Sequence, residues 1–183
     1  MRLIENTPFN EEKDLAKAYN DFMELLPYDT DWAFFRDADT LFLDSFYGKH
    51  MLNIIRENPE YSCITGCTNR IGSPALLHDE YEGDDITIHR RISSNMKLLH
   101  GNMVTTLDYV PDVSTLSGMC FAINKSAWKK SGGFRSGVNG MLGVDNNIHL
   151  DLINSGSKVG LAKGFYIYHW YRGGNKLDKK HLM

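Results

Sequence analysis

With 183 residues, of which 42% are hydrophobic and 23% charged, the chain is long enough to fold as one domain with a hydrophobic core. A net charge of −3, with Lys and Arg spread along the sequence, argues against nucleic acid or an anionic membrane as a partner. The three cysteines fit neither a disulfide framework nor a four-ligand zinc site, and no stretch approaches the roughly 20 apolar residues of a spanning helix. We therefore expect a single domain over residues 1–183, cytoplasmic and without a transmembrane segment.

The first part of the chain alternates between helical and strand-like patterns. Apolar residues at helical spacing predict an amphipathic helix from Glu11 to Leu26 and a second helix from Ser45 to Asn58. Short apolar runs predict buried strands at Trp32–Phe35 and Tyr61–Thr65. This order predicts an α/β fold with a mainly parallel sheet and helices on both faces, whose ligands bind beyond the carboxyl ends of the strands.

The second part continues the pattern after an acidic, turn-rich stretch. Its predicted elements are a helix around Ile92–Leu99, a strand at Gly118–Ile123, a short helix at Lys125–Lys130 that begins at Asn124 and stops at Gly132–Gly133, a helix at Asp145–Asn154 with Gly156 as its cap, and strand-like runs at Val159–Ala162 and Phe165–Tyr168. The last run leads directly into His169.

Asp37 and Asp39 follow the first buried strand, separated by the small Ala38. On an extended segment, carboxylates two residues apart project to one side and can bind one cation. Mg²⁺ or Mn²⁺ uses one or two protein carboxylates and completes its shell with water and substrate phosphates. An acidic doublet at a strand end can equally solvate a loop or cap a helix, so neighbouring segments must decide between these interpretations.

Four segments, in order, resemble GT-A glycosyltransferases of the large family-two group. The similar segments are Asp31–Phe42 (strand and acidic motif), Ser117–Phe134 (acceptor-side strand, helix and Gly-Gly-Phe turn), Met141–Leu152 (segment of the catalytic carboxylate) and Tyr166–His169 (strand ending in a metal-binding His). The resemblance covers about residues 10 to 172. It implies the Rossmann-like fold of nucleotide-diphospho-sugar transferases.

The resemblance also implies roles for individual residues. Asp39 would be a direct metal ligand, Asp37 would bind the donor ribose or the metal through water, and His169 would complete the protein's share of the metal shell. Asp145 would be the base that takes the proton from the acceptor hydroxyl, in a one-step displacement that inverts the anomeric centre. Independently of the resemblance, Arg172 could contact the diphosphate, because a guanidinium group suits phosphate geometry. The expected ligands are Mn²⁺ or Mg²⁺ and a nucleotide-diphosphate sugar.

Structural alternatives stay open for these residues. Asp145 suits the N-cap of a helix, and Val144 stands where the family usually has a second acidic residue. His169 lies among aromatic residues and suits a hydrogen-bonded core position, while Arg172, beside a Gly-Gly turn, suits the surface. The other histidines are expected to be surface or satisfied polar residues, and Cys63 and Cys67 to be buried small hydrophobes.

A complete GT-A domain opens with strands whose ends hold the nucleotide base, whereas only about ten residues precede the first predicted helix here. We therefore expect an incomplete N-terminal region: a shortened enzyme, a chain completed by another chain, or a descendant without turnover. An open sheet edge would favour a homo-oligomer. The expected function is sugar transfer to a glycan or lipid-linked acceptor. A non-catalytic sugar or nucleotide-binding module and, less well supported, a nucleotidyltransferase are the alternatives.

Overall fold

The computed structural model describes residues 1–71, 73–78, 80–81, 83–111, 115–137 and 143–170. Seven strands and five helices occur in these residues: β1 (Leu3–Asn6), α1 (Leu15–Leu25), β2 (Trp32–Arg36), β3 (Thr40–Phe42), α2 (Tyr47–Glu57), β4 (Tyr61–Thr68), α3 (Ile86–His100), β5 (Val104–Thr106), β6 (Cys120–Asn124), α4 (Lys125–Ser131), α5 (Val144–Asn154) and β7 (Lys158–His169). A short 3-10 turn lies at Pro74–Leu76. Within this part of the chain, no helix has both the length and the apolar character needed to cross a bilayer.

The strands form one mixed sheet in the order β1-β2-β6-β4-β7-β3, and β5 also pairs with β7. In the described residues, β1–β2 and β4–β7 are parallel pairs, whereas the other four pairings are antiparallel. The α/β prediction is therefore confirmed, but the prediction of a mainly parallel sheet is wrong, because only two of these six strand pairs are parallel. β1, β2, β4 and β7 all point the same way, whereas β6, between β2 and β4, and β3 and β5, beside β7, run in the opposite direction.

Three short strands, β1, β3 and β5, were not predicted. β1 precedes α1 and pairs in parallel with β2, from Leu3 opposite Trp32 to Asn6 opposite Phe35. No element is predicted before the first helix, so β1 is an addition to the predicted order. β3 and β5 both pair antiparallel with β7, each over three residues.

The two faces of the sheet are distinguished by alternate aromatic residues of β2. Phe35 contacts Tyr19 of α1 and Phe134, with ring centroids 4.6 and 6.0 Å away. Phe34 points the other way, towards Tyr47 of α2 and Phe165. Helices therefore cover both faces, as predicted, and the side chain two residues beyond Phe35 continues on the α1 face.

Helix ends follow local capping chemistry. The Asp14 side chain accepts the backbone N–H of Lys17 at the start of α1, and Asn124 accepts from Ser126 and Ala127 at the start of α4, as predicted. α4 ends at Gly132 in the left-handed conformation, with φ of 88°. α3 begins at Ile86 rather than near Ile92, because Asp85 caps its first turn.

β7 is one strand, although two separate runs were predicted. Ala162 pairs with Gly66 and Tyr166 with Cys67, so Lys163–Phe165 form a three-residue insertion opposite β4. Gly164 lies against Gly101, where a Cβ would come within 2.1 Å of the Gly101 carbonyl oxygen. The insertion therefore requires glycine at this close approach and lets β7 continue to His169.

Candidate metal centre

Asp37 and Asp39 lie in a fixed turn between β2 and β3. The backbone N–H of Asp37 donates to the Met119 carbonyl at 2.9 Å, and the Thr40 hydroxyl donates to the Asp37 carbonyl at 2.7 Å. The Trp170 N–H donates to the Asp39 carbonyl at 2.9 Å. The segment is thus a turn rather than the predicted extended segment, but its backbone is held at both ends.

His169 is the last residue of β7 and pairs across the sheet with Thr40. Its backbone N–H donates to the Asn69 side-chain oxygen at 2.8 Å, and its ring Nδ1 lies 2.9 Å from the Arg70 carbonyl. Because a carbonyl only accepts, Nδ1 carries a proton, which leaves Nε2 as the atom that faces the site. Only 3% of the residue is exposed, so the ring is held in this orientation.

The three predicted ligands converge. One ligand atom from each of Asp37, Asp39 and His169 lies within 4.8 Å of the others, and Nε2 is 3.2 Å from Asp39 Oδ1. Neighbouring ligands on an octahedral ion, with bonds of about 2.1 Å, lie about 3 Å apart. Two atoms that both carry lone pairs repel each other at this distance unless a proton or a metal ion lies between them. The geometry therefore fits a divalent cation.

The donor set narrows the choice of ion. Two carboxylates and one imidazole nitrogen suit Mn²⁺ and similar transition ions, whereas Mg²⁺ prefers oxygen ligands alone. The carbonyl bonded to Nδ1 is the usual support of a metal-binding histidine. Sequence reasoning missed Asn69 and Arg70, which provide this support, because nothing in their spacing distinguishes them from loop residues.

The ionised form of Asp37 is disfavoured by its surroundings. Burial, with smaller contributions from the carboxylates of Asp39 and Asp145, raises the pKa of its carboxyl to about 6 against the opposing effect of His169. A cation bound here would remove this penalty by neutralising the repelling charges.

Asp145 lies in the first turn of α5, close to the metal cluster. The N-cap of α5 is Gly143, in the left-handed conformation with φ of 85°, so the N-cap interpretation of Asp145 is wrong. Asp145 Oδ2 accepts the Gly118 N–H and Oδ1 accepts the Asn146 N–H, both at 2.9 Å. Gly118 directly precedes Met119, whose carbonyl holds Asp37. Burial raises the pKa of Asp145, which makes its carboxylate a better proton acceptor.

Tyr19 is a site neighbour that sequence reasoning treated only as part of the apolar face of α1. Its ring packs among Phe35, Phe121 and Phe134, and 1% of the residue is exposed. Its hydroxyl forms no hydrogen bond with any residue that the structure describes. A Cβ at Gly118 would lie 3.2 Å from this hydroxyl and 3.9 Å from Asp145 Oδ2, so the hydroxyl lies near the Asp145 carboxylate.

We expect Tyr19→Phe to leave the metal-free protein as stable as the wild type or to stabilise it by about 1 kcal/mol, because a buried hydroxyl without a partner opposes folding. Urea denaturation in EDTA measures this change. Tyr61→Phe is the matched control: its hydroxyl bonds Thr106 Oγ1 at 3.2 Å, and removing it should cost about 1 kcal/mol. A loss of stability in Tyr19→Phe equal to that in Tyr61→Phe would contradict the assignment of the Tyr19 hydroxyl as a buried group without a hydrogen bond.

The remaining residues named in the sequence analysis are Arg172, the other histidines and the cysteines. Arg172 lies outside the described residues. His89 and His149 are buried, and both ring nitrogens of each have partners, as predicted for satisfied polar residues. Cys63 and Cys67 are buried and free, as expected of small hydrophobes, and burial raises the pKa of Cys67 to about 11.

A comparison with protein-family models found no matching family, and a search of curated proteins found no match. Evidence about function therefore comes from the site itself.

Proposed function

We propose that this protein is a metal-dependent glycosyltransferase of the GT-A type. It moves a sugar from a nucleotide-diphosphate donor to a hydroxyl of a carbohydrate or lipid-linked acceptor, with inversion. The observation that carries the proposal is the convergence of Asp37, Asp39 and His169, residues from two distant parts of the chain, within 4.8 Å. The buried, unpaired cysteines in the described residues agree with a reducing, cytoplasmic location.

Each group has one role in this proposal. Asp37, Asp39 and His169 hold Mn²⁺ or Mg²⁺, which would neutralise the charge of the departing diphosphate. Asp145 accepts the proton of the acceptor hydroxyl as its oxygen bonds to the anomeric carbon and the bond to the diphosphate breaks. Two backbone N–H groups orient the Asp145 carboxylate, and its raised pKa suits a base.

A non-catalytic sugar or nucleotide-binding module is the second candidate. One observation favours it: both carboxylate oxygens of Asp145 already accept a backbone hydrogen bond, as they would in a structural role. The metal cluster would then bind a diphosphate without turnover.

Calorimetric titration of a panel of nucleotide sugars, with and without Mn²⁺, followed by transfer assays with any ligand that binds, tests the proposal. We expect metal-dependent binding, and we expect Asp145→Asn to retain binding while turnover falls about a hundredfold or more, because the amide accepts no proton. Asp151→Asn, on the same helix and paired with Arg135, is the control and should keep its turnover.

The outcomes separate the two candidates. Metal-dependent binding without turnover by the wild type would support the binding module. Equal turnover by wild type and Asp145→Asn would remove Asp145 from the mechanism. Binding that does not depend on metal would contradict both candidates at this site.

A further inference from the structure

The outward side of α3 differs in charge from the rest of the chain. The helix contains Arg90, Arg91 and Lys97 but no Asp or Glu, whereas the whole chain has 23 acidic and 20 basic residues. All three cations are exposed. The opposite side, with His89, Ile92 and Met96, is buried against the sheet. α3 is therefore anchored by one side and presents a basic surface on the other.

Large apolar side chains occupy the same surface. Leu98 is 84% exposed, and neighbouring Phe46 is 70% exposed. Phe46, Lys97 and Leu98 line one open cavity of about 670 Å³, and Phe46, Lys49 and Lys97 line a second of about 450 Å³. These shared linings place the four side chains on one surface, and the two arginines of α3 lie two turns earlier on the same side of the helix. Exposed leucines singly are ordinary, but a contiguous set marks an interaction surface.

We propose that this surface, the α3 face, docks on an anionic lipid surface. Its members are Phe46, Lys49, Arg90, Arg91, Lys97 and Leu98. Basic residues that flank exposed leucine and aromatic side chains are the composition of helices that lie in the membrane interface, where cations contact anionic headgroups and apolar side chains enter the acyl boundary. The proposal goes beyond sugar transfer and does not depend on it.

Other occupants fit the α3 face less well. A second copy related by a two-fold axis would bring Arg90 and Arg91 towards the same cations of its partner. Nucleic acid would attract the cations but would leave Phe46 and Leu98 in contact with phosphates and water. The carboxylate beside the face, Asp44, forms an ion pair with Lys97, so Arg90, Arg91 and Lys49 supply most of the attraction.

The spread of Lys and Arg along the sequence argued against a membrane partner. Helical periodicity and the connection before α2 create the α3 face, because they bring residues from two distant segments together. Composition averaged over the chain does not detect such a surface.

Co-sedimentation with unilamellar vesicles tests the proposal. We expect the wild type to bind phosphatidylcholine vesicles that contain about 30 mol% phosphatidylglycerol, and to bind phosphatidylcholine alone at least about 25-fold more weakly. Phe46→Glu with Leu98→Glu should lower partitioning about tenfold or more, because two apolar anchors become anions. Arg90→Gln with Arg91→Gln should lower it about 25-fold, at about fivefold per cation near an anionic surface.

Leu25→Glu is the matched control: Leu25 on α1 is 77% exposed and outside the α3 face, and its variant should bind vesicles as the wild type does. Equal melting temperatures of all variants will show that folding is intact, as expected for exposed positions. No preference for anionic vesicles, or an equal loss in Leu25→Glu, would overturn the proposal. A dimer in light scattering that the Phe46→Glu, Leu98→Glu variant dissociates would assign the face to a second copy and overturn it too.

Discussion

Asp39→Ala is expected to abolish stabilisation of the protein by Mn²⁺. Asp39 Oδ1 lies 3.2 Å from His169 Nε2, so the substitution removes one of the three candidate ligands. Loss of a group that only supports a metal ligand costs about 10-fold to 100-fold in affinity, so loss of the ligand itself should cost about a hundredfold or more. Wild-type protein at a Mn²⁺ concentration of about 100 times its dissociation constant should gain about 2.7 kcal/mol of stability.

Calorimetry with MnCl₂ and thermal unfolding with and without the metal measure the two effects. Because 39% of the Asp39 side chain is exposed, the metal-free variant should fold as the wild type does. Asp29→Ala is the matched control, since Asp29 is also exposed, at 62%, and is paired only with Lys129 among the described residues. Mn²⁺ affinity that is the same in wild type and Asp39→Ala would show that the cluster does not bind the ion.

Asp37→Asn is expected to stabilise the metal-free protein at neutral pH while it weakens metal binding. The Asp37 pKa rises from 3.8 to about 6 on folding, so the proton on this carboxyl stabilises the folded state. That contribution is fully present below about pH 4 and is lost as the pH rises through about 6. At about pH 7.5 the ionised carboxylate costs the folded state up to about 3 kcal/mol, and the neutral amide avoids this cost.

Chemical denaturation in EDTA at several pH values tests the prediction. The advantage of Asp37→Asn should be greatest at about pH 7.5 and should disappear near pH 4, where the wild-type carboxyl is protonated. Asp21→Asn, at an exposed i,i+4 pair with Lys17, should change stability by less than about 0.5 kcal/mol. A variant that is less stable than the wild type at neutral pH, or an advantage that does not vary with pH, would contradict the assigned charge repulsion.

The sequence predicted the long elements because their apolar pattern repeats over several turns or strand positions. α1, α2, β2 and β4 were confirmed with small changes at their ends. β3 and β5 have three residues each and depend on pairing with β7, so no local pattern revealed them. The early start of α3 followed from a cap at Asp85, which had been taken as part of an acidic turn.

The candidate site, too, could be predicted only in part from the sequence. The convergence of Asp37, Asp39 and His169 could be predicted, since all three stand at the ends of buried strands. The orientation of the His169 ring could not, because it depends on the Asn69 side chain and the Arg70 carbonyl, about 100 residues earlier in the chain. Tyr19 was missed because its spacing on α1 is that of a core residue, and only the packed structure places its hydroxyl beside Gly118.

The insertion in β7 changes the phase of the strand. In a regular register Cys67 would pair with Lys163; instead it pairs with Tyr166, a shift of three residues. Because side chains alternate, an odd shift exchanges the two faces, so Leu161 and Tyr166 point the same way. The first part of β7 can therefore direct its apolar side chains into the core, while the last part, with the opposite alternation of side chains, directs His169 at Asp39. A regular strand of the same residues would satisfy the core or the metal centre, but not both.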